Sequence, residues 1–288
     1  MSALLAEPLT TGTHELAEGP LWYDEHLTWV DLTASILWRA TLTEGVLHAP
    51  TSMHLPGEAL GCAVPRASGG WLCASDGGLV TVLDDGSVTR HVEIERTGLR
   101  LNDGKCDPAG RLWVGSIGVP DRGALYRVDL DGTVQVMARG VGISNGLGWF
   151  GDRMYYVDSL PGTLTVLDYD EASGQVANPR VLRQFDKPVD PDGLAVDEEG
   201  GIWVALWNGY EVHRYDPEGG LDRVVRLPVS RPTSCCFVDD LLVITSAGDR
   251  DITDEPLAGA LFAAPVGIRE APATPFRGAF PGEHSLII

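Results

Sequence analysis

Six times along its 288 residues the chain returns to one theme: a small polar or glycine motif, an apolar run, an acidic glycine turn, then an aromatic-rich run. The clearest copies are NDGKCDPAGRLWVGS from Asn102 and PDGLAVDEEGGIWVAL from Pro191. Weaker ones are EGPLWYDEHLTWVDL from Glu18, GCAVPRASGGWLCAS from Gly61, NGLGWFGDRMYYVDS from Asn145 and SCCFVDDLLVITSA from Ser234. The equivalent residues Glu18, Gly61, Asn102, Asn145, Asp192 and Ser234 follow one another at steps of 41 to 47 positions, a period that marks a repeat architecture. The runs alternate with period two and are rich in Val, Trp, Tyr and Leu, whereas a helical solenoid needs a period near 3.6. Each copy is followed by a second strand pair, as in GALYRVDLDGTVQVMARG, where alternating residues flank a hairpin turn at Asp131 and Gly132. One four-stranded unit cannot cover its own apolar faces and needs a neighbour on each side. The spacing therefore predicts an all-β fold, a six-bladed β-propeller forming a single domain over residues 1–288. Residues ahead of Glu18 are expected to close the ring by adding a strand to the blade that contains GALFAAPVGI.

Composition narrows the partners. Thirty-five Gly and 19 Pro suit a turn-rich chain. A formal net charge of −20 repels phosphates, so neither nucleic acid nor an anionic membrane surface is expected as a partner. Cys62, Cys73, Cys106, Cys235 and Cys236 are odd in number, lack C-x-x-C spacing and sit in apolar runs, the pattern of buried free thiols. MSALLAEPLTTG carries no basic leader and no apolar run reaches membrane-span length. A cytoplasmic, soluble protein is the expectation.

In a propeller the innermost strand of each blade lines a central channel, so residues opening equivalent strands gather at one mouth. The carboxylates Glu18 and Asp192 and the amides Asn102 and Asn145 are thereby predicted to converge. Two carboxylates in one confined space repel, and either one holds a proton or a cation neutralises them. Oxygen donors without Cys or clustered His suit a hard divalent ion, Ca²⁺, Mg²⁺ or Mn²⁺, although Zn²⁺ also accepts carboxylates. The bland alternative is that these residues cap strand ends and turns.

Two motifs invite other readings. Gly142 to Gly146 fits the G-x-S-x-G of serine hydrolases, but that motif needs a strand-to-helix turn in an α/β fold with partnering His and acid. Asn145, not Ser144, is taken as the functional member of the pair. DPDGLAVDEE from Asp190 imitates the start of an EF-hand loop, yet Leu194 and Ala195 stand where an acidic ligand and the turn glycine belong.

RLNDGKCDPAGRLWVGS, ISNGLGW, YYVDS, PDGLAVDEEGGIWVALWNG and RPTSCCF resemble, in order and spacing, the senescence marker protein-30 family, which includes regucalcin and bacterial gluconolactonases. The likeness runs from Glu18 to about Gly278. It implies a six-bladed propeller that holds one divalent metal ion in its channel and hydrolyses sugar lactones. By this resemblance Glu18, Asn145 and Asp192 are the metal ligands and Arg100 and Asn102 contact substrate; Asp192 is the candidate catalytic base, the alternative being that it serves mainly as ligand while metal-bound hydroxide attacks. Animal members use a Glu in the loop that here reads SIGVPDRGALYR; Asp121 is assigned in its place. The expected substrate is a small sugar lactone. Two other functions stay open: a non-catalytic calcium-binding or scaffold propeller, and a metal-dependent esterase or phosphotriesterase.

Overall fold

The computed structural model describes residues 3–12, 14–55, 57, 59–95, 98–248, 254–270 and 273–283. Among them are strands but no α-helix, arranged as six sheets. Blade 1 is the meander Ala17–Tyr23, His26–Asp31, Ile36–Thr43 and Val46–His54, each strand antiparallel to the next. The inner strands of blades 2 to 6 are Leu60–Pro65, Arg100–Cys106, Ser144–Phe150, Asp190–Val196 and Pro232–Val238. Each inner strand packs on the inner strands of both neighbouring blades, and Pro232–Val238 returns to Ala17–Tyr23, so the ring is closed. The chain is a six-bladed β-propeller, as the repeat spacing predicts.

Burial follows position in the blade. Inner and second strands such as Leu60–Pro65 and Trp71–Ser75 are buried throughout, whereas the outer strands Val88–Glu93 and Gln175–Gln184 are mostly exposed. The apolar clusters lie between blades; Trp203, Phe237, Ile244 and Phe262, for example, join blades 5 and 6. That placement explains why no blade stands alone: its apolar faces are covered only by its neighbours.

The repeated D-x-x-G-x-x-W segments fold as stapled hairpins. Asp107 takes the indole N–H of Trp113 at 3.0 Å and Arg111 Nε at 2.7 Å. Asp197 takes Trp203 Nε1 and Arg214 Nε, each at 2.7 Å. Gly110 and Gly200 turn these hairpins at φ of 88° and 83°, values that L side chains rarely adopt.

Closure is more extensive than the sequence suggests. Glu7–Pro8 pairs antiparallel with Phe262–Pro265 of blade 6, as expected. In addition Leu4–Leu5 pairs in parallel with Leu221–Arg226 of blade 5, so the N-terminal segment ties blades 5, 6 and 1. Two-residue strands carry no periodicity from which they could be read. All five cysteines are free and buried, and among the described residues no helix is long and apolar enough to cross a membrane.

Candidate active site

Each inner strand slips its register with the second strand at the same level, between Glu18 and Leu21, Leu60 and Cys62, Leu101 and Gly104, Ser144 and Leu147, Pro191 and Leu194, and Pro232 and Ser234. A bulge leaves residues unpaired and re-aims their side chains. Six bulges at one height turn the repeat into a ring of displayed residues, and Asn102, Asn145 and Asp192 are among them, with Glu18 at the lip of its own bulge. Glu18, Asn102, Asn145 and Asp192 are all buried.

A hydrogen-bond chain fixes how the two amides point. Ser159 Oγ donates to the Pro191 carbonyl at 2.6 Å, so it accepts from Asn145 Nδ2 at 2.8 Å. The Asn145 oxygen is therefore turned away from Ser159 and accepts from Asn102 Nδ2 at 2.7 Å. Asn102 Nδ2 also donates to the Ser144 carbonyl at 2.8 Å, and Asn102 Oδ1 accepts from Arg100 Nη1 at 2.6 Å. Asn145 thus offers an oxygen with a remaining lone pair. Asn102 has both amide hydrogens engaged and one oxygen lone pair left.

The carboxyls are held in an unfavourable state. Burial pushes Glu18 from its usual 4.5 up to about 8; the charge of Asp103 adds to this, and the Gly19 N–H and Arg100 oppose it. Asp192 is pushed well up by burial and then by Glu18, Asp103 and Asp190. Burial with uncompensated like charge penalises the ionised form. Asp192 Oδ1 is buried without a hydrogen-bond partner, which is costly unless something else occupies its lone pairs. The donor set fits a hard divalent cation: two carboxylates and one amide oxygen with no sulfur. Among the described residues no three His, Cys, Asp or Glu side chains cluster as a metal-binding group, and the free oxygen lone pair that Asn145 offers belongs to an amide.

The other residues singled out in the sequence fall differently. Ser144 is fully buried and its Oγ accepts from Tyr156 Oη at 2.7 Å. It packs where Gly115 of blade 3 leaves room, since a Cβ there would collide with Ser144. It is a blade-interface residue, and among the described residues its hydroxyl is hydrogen-bonded to Tyr156 and to no histidine. Asp121 lies in the exposed turn between Leu112–Ile117 and Gly123–Val128, with φ of 59°. That turn is on the same face as Arg100, which pairs with Ile117, but outside the buried hydrogen-bond chain. Sequence reasoning missed Ser159, whose role in orienting Asn145 shows only once its strand end lies beside the inner strand. Past the bulges, a cavity of about 560 Å³ occupies the other half of the channel, lined by Asp103, Lys105, Trp22, Trp149 and Glu270. The C-terminal segment borders it through Ala273 and Thr274.

A closed propeller whose channel mouth gathers buried carboxylates and amides on inner-strand bulges defines a class of propeller built around an oxygen-donor site. Residues 16–248 match the SMP-30/gluconolactonase/LRE-like region, and the chain belongs to that family. It is 34% identical over 301 residues to regucalcin of Danio rerio, covering 96% of this chain and 100% of the relative. To pentonolactonase XacC of Haloferax volcanii it is 34% identical over 264 residues, covering 86% and 89%. The crystal structure of a calcium-binding protein, regucalcin, from Agrobacterium tumefaciens superposes with a TM-score of 0.88 at 25% identity, covering 96% of this chain and 99% of that one.

Proposed function

We propose that the protein is a divalent-metal-dependent lactonase that opens sugar lactones to aldonic acids, acting as a single domain in the cytoplasm. The observation that carries this reading is the buried, unpartnered Asp192 Oδ1 in the field of Glu18. The pentonolactonase relative supports the substrate class, and the five free buried thiols suit a reducing compartment.

Glu18, Asn145 and Asp192 would hold the cation. When bound, it supplies Lewis acidity toward an ester carbonyl and acidifies water. Asp192 is the candidate base: it takes the proton of the water that adds to the lactone carbonyl and returns it to the ring oxygen as the C–O bond breaks, which leaves the hydroxy acid. Arg100 donates through Nη1 to the Leu101 carbonyl and to Asn102, leaving its Nε and Nη2 hydrogens for the substrate's hydroxyls or developing oxyanion. Asn102 contributes its remaining oxygen lone pair to a sugar hydroxyl. Asp121, on the exposed turn at the same mouth, is the acid placed to meet the outer end of the sugar.

The test is a panel of aldonolactones, aryl esters and phosphotriesters, assayed after exhaustive chelation and after adding back Ca²⁺, Mg²⁺, Mn²⁺ or Zn²⁺. Aldonolactones should be turned over fastest, and only with metal. Full activity at negligible verified metal content would sink the mechanism. Tight Ca²⁺ binding without turnover of any substrate would favour the non-catalytic calcium-binding reading, and preference for aryl esters or phosphotriesters the esterase one.

A further inference from the structure

The residue three positions past each repeat position is apolar or glycine in five blades, from Leu21 in blade 1 to Phe237 in blade 6, and lysine only in blade 3. Lys105 thus puts an ammonium on an otherwise apolar stretch of wall, in the cavity beyond the bulges. Its Nζ donates across the channel to the Leu194 carbonyl of blade 5 at 3.1 Å and stands 3.9 Å from Glu270 Oε1, on the segment that leaves blade 6. At that distance the pair attracts but makes no hydrogen bond, so two hydrogens of the ammonium have no acceptor among the described residues. Neither side chain is sealed off: Lys105 is 30% exposed and Glu270 23%. Around them stand Trp22, Trp149, Leu21, Val64, Leu194 and Phe237. The volume of about 560 Å³ falls within the range of small-molecule sites, about 300 to 1,000 Å³.

The charges select the occupant. Asp103 and Glu270, both on the cavity wall, oppose an anion, and the Lys105 ammonium opposes a cation. A neutral hydroxyl suits both signs, because it accepts from the ammonium and donates to the carboxylate. Its oxygen fits over the 3.9 Å gap at a hydrogen-bond distance of about 2.8 Å from each atom. A sugar adds C–H faces that lie against aromatic rings, so the two tryptophans supply contact area while the polar pair fixes orientation.

We propose that this cavity is a second binding site, in the other half of the channel from Asp192, for a neutral polyhydroxylated molecule of monosaccharide size, with one hydroxyl bridging Lys105 and Glu270 and the carbon skeleton against Trp22 and Trp149. It depends neither on a metal at the mouth nor on turnover there.

Lysine chemistry reads the two ends of the channel separately. The chain has only two lysines, Lys105 in this cavity and Lys187 at the mouth, where its Nζ donates to the Ser159 carbonyl at 3.3 Å. Wild-type protein is amidinated briefly with methyl acetimidate, which keeps the positive charge, with and without methyl α-glucoside, a neutral sugar that cannot glycate lysine. Modification of each lysine is read by peptide mass spectrometry. Calorimetry measures glucoside binding to wild type, Lys105→Met, Trp22→Leu and Asp192→Asn, each shown to be folded by its melting curve, and compares gluconate and 1,4-diaminobutane on wild type and Lys105→Met. Expected are slower modification of Lys105 with Lys187 unchanged, millimolar binding by wild type and Asp192→Asn alike, and affinity reduced about tenfold or more in Lys105→Met and Trp22→Leu. No saturable glucoside binding by wild type would overturn the proposal. So would protection of Lys187 alone with affinity lost in Asp192→Asn, which places the sugar at the mouth, or tighter Lys105-dependent binding of gluconate or the diamine, which reverses the charge argument.

Discussion

Glu18 is a carboxyl placed where its charged form is penalised and left there. Because its folded pKa is raised from 4.5 to about 8, the metal-free fold binds the proton more tightly than the unfolded chain does. Its stabilising contribution is complete below about pH 4.5 and is lost as pH rises toward 8; Asp192 is shifted in the same direction. A bound dication prefers the deprotonated carboxylates, so metal stabilisation should grow over the same window. The melting temperature of stripped protein should fall from pH 5 to 8 while that of protein with saturating Ca²⁺ or Mn²⁺ holds or rises; parallel curves would exclude a protonated Glu18 in the metal-free state. Substitutions separate the residues of the opening motif. Asp192→Asn keeps the size and one oxygen but removes charge and basicity, so kcat should fall by about 10³. Ser144→Ala removes only the hydroxyl that accepts from Tyr156, costing about 1 kcal/mol of stability and leaving most activity. A kcat loss in Ser144→Ala as deep as in Asp192→Asn, with both proteins folded, would revive a serine nucleophile.

The hairpins of blades 3 and 5 show how a sequence motif becomes a rigid support. Asp197 takes the Trp203 indole, the Gly201 N–H at 2.8 Å and the Arg214 guanidinium, and Asp197 and Trp203 are both buried. Asp197→Ala leaves a buried indole N–H and part of an arginine unpaired, so stability should drop by about 3 kcal/mol. Denaturant unfolding would measure this, and metal content should be unchanged, because the staple lies at the opposite end of the inner strand from Asp192. Loss of metal from the folded variant would contradict that separation. These hairpins were legible because acidic turn, glycine and tryptophan recur at fixed offsets. The bulges were not. Asn145-Gly146 and Asp192-Gly193 read locally as hairpin turns, yet both lie within strands, where glycine permits the neighbouring strand to approach rather than the chain to reverse. The spacing of Glu18, Asn145 and Asp192 placed them at one level, but the direction of each amide depends on Ser159 and Asn102, which no single repeat contains. Leu4–Leu5 was illegible for another reason: its pairing depends on the exposed edge of Leu221–Arg226, not on its own pattern.

A ring of blades is as stable as its seam, which the N-terminal segment sews, while the C-terminal segment crosses to blades 2 and 3. The C-terminal segment leaves blade 6, joins the Pro65 carbonyl through Phe276 N at 2.8 Å and the Gly110 carbonyl through Arg277 N at 3.0 Å, and Arg66 meets Glu283 at 2.7 Å. The N-terminal segment carries the covalent gap between blades 6 and 1. There His14 is the pin: its Nδ1 donates to the Gly259 carbonyl at 2.9 Å, and its Nε2 accepts the indole N–H of Trp29 at 3.0 Å, a direction fixed because an indole can only donate. Its ring also meets Trp38 edge-on at 5.4 Å. His14→Ala would strand a buried indole donor in blade 1 and a carbonyl on the blade 6 side, and open a void between them, for a loss of about 3 kcal/mol. At this chain length that is a melting-temperature drop of about 5 °C. The loss should also be located. Opening at the seam frees the inner strand of blade 1 and the Phe262–Pro265 strand together, so amide exchange should quicken in Ala17–Tyr23 and Phe262–Pro265 while Ser144–Phe150, across the channel, keeps its protection. Uniform acceleration in all six blades would show that the ring opens only as a whole, with His14 no more a seam residue than any other buried side chain.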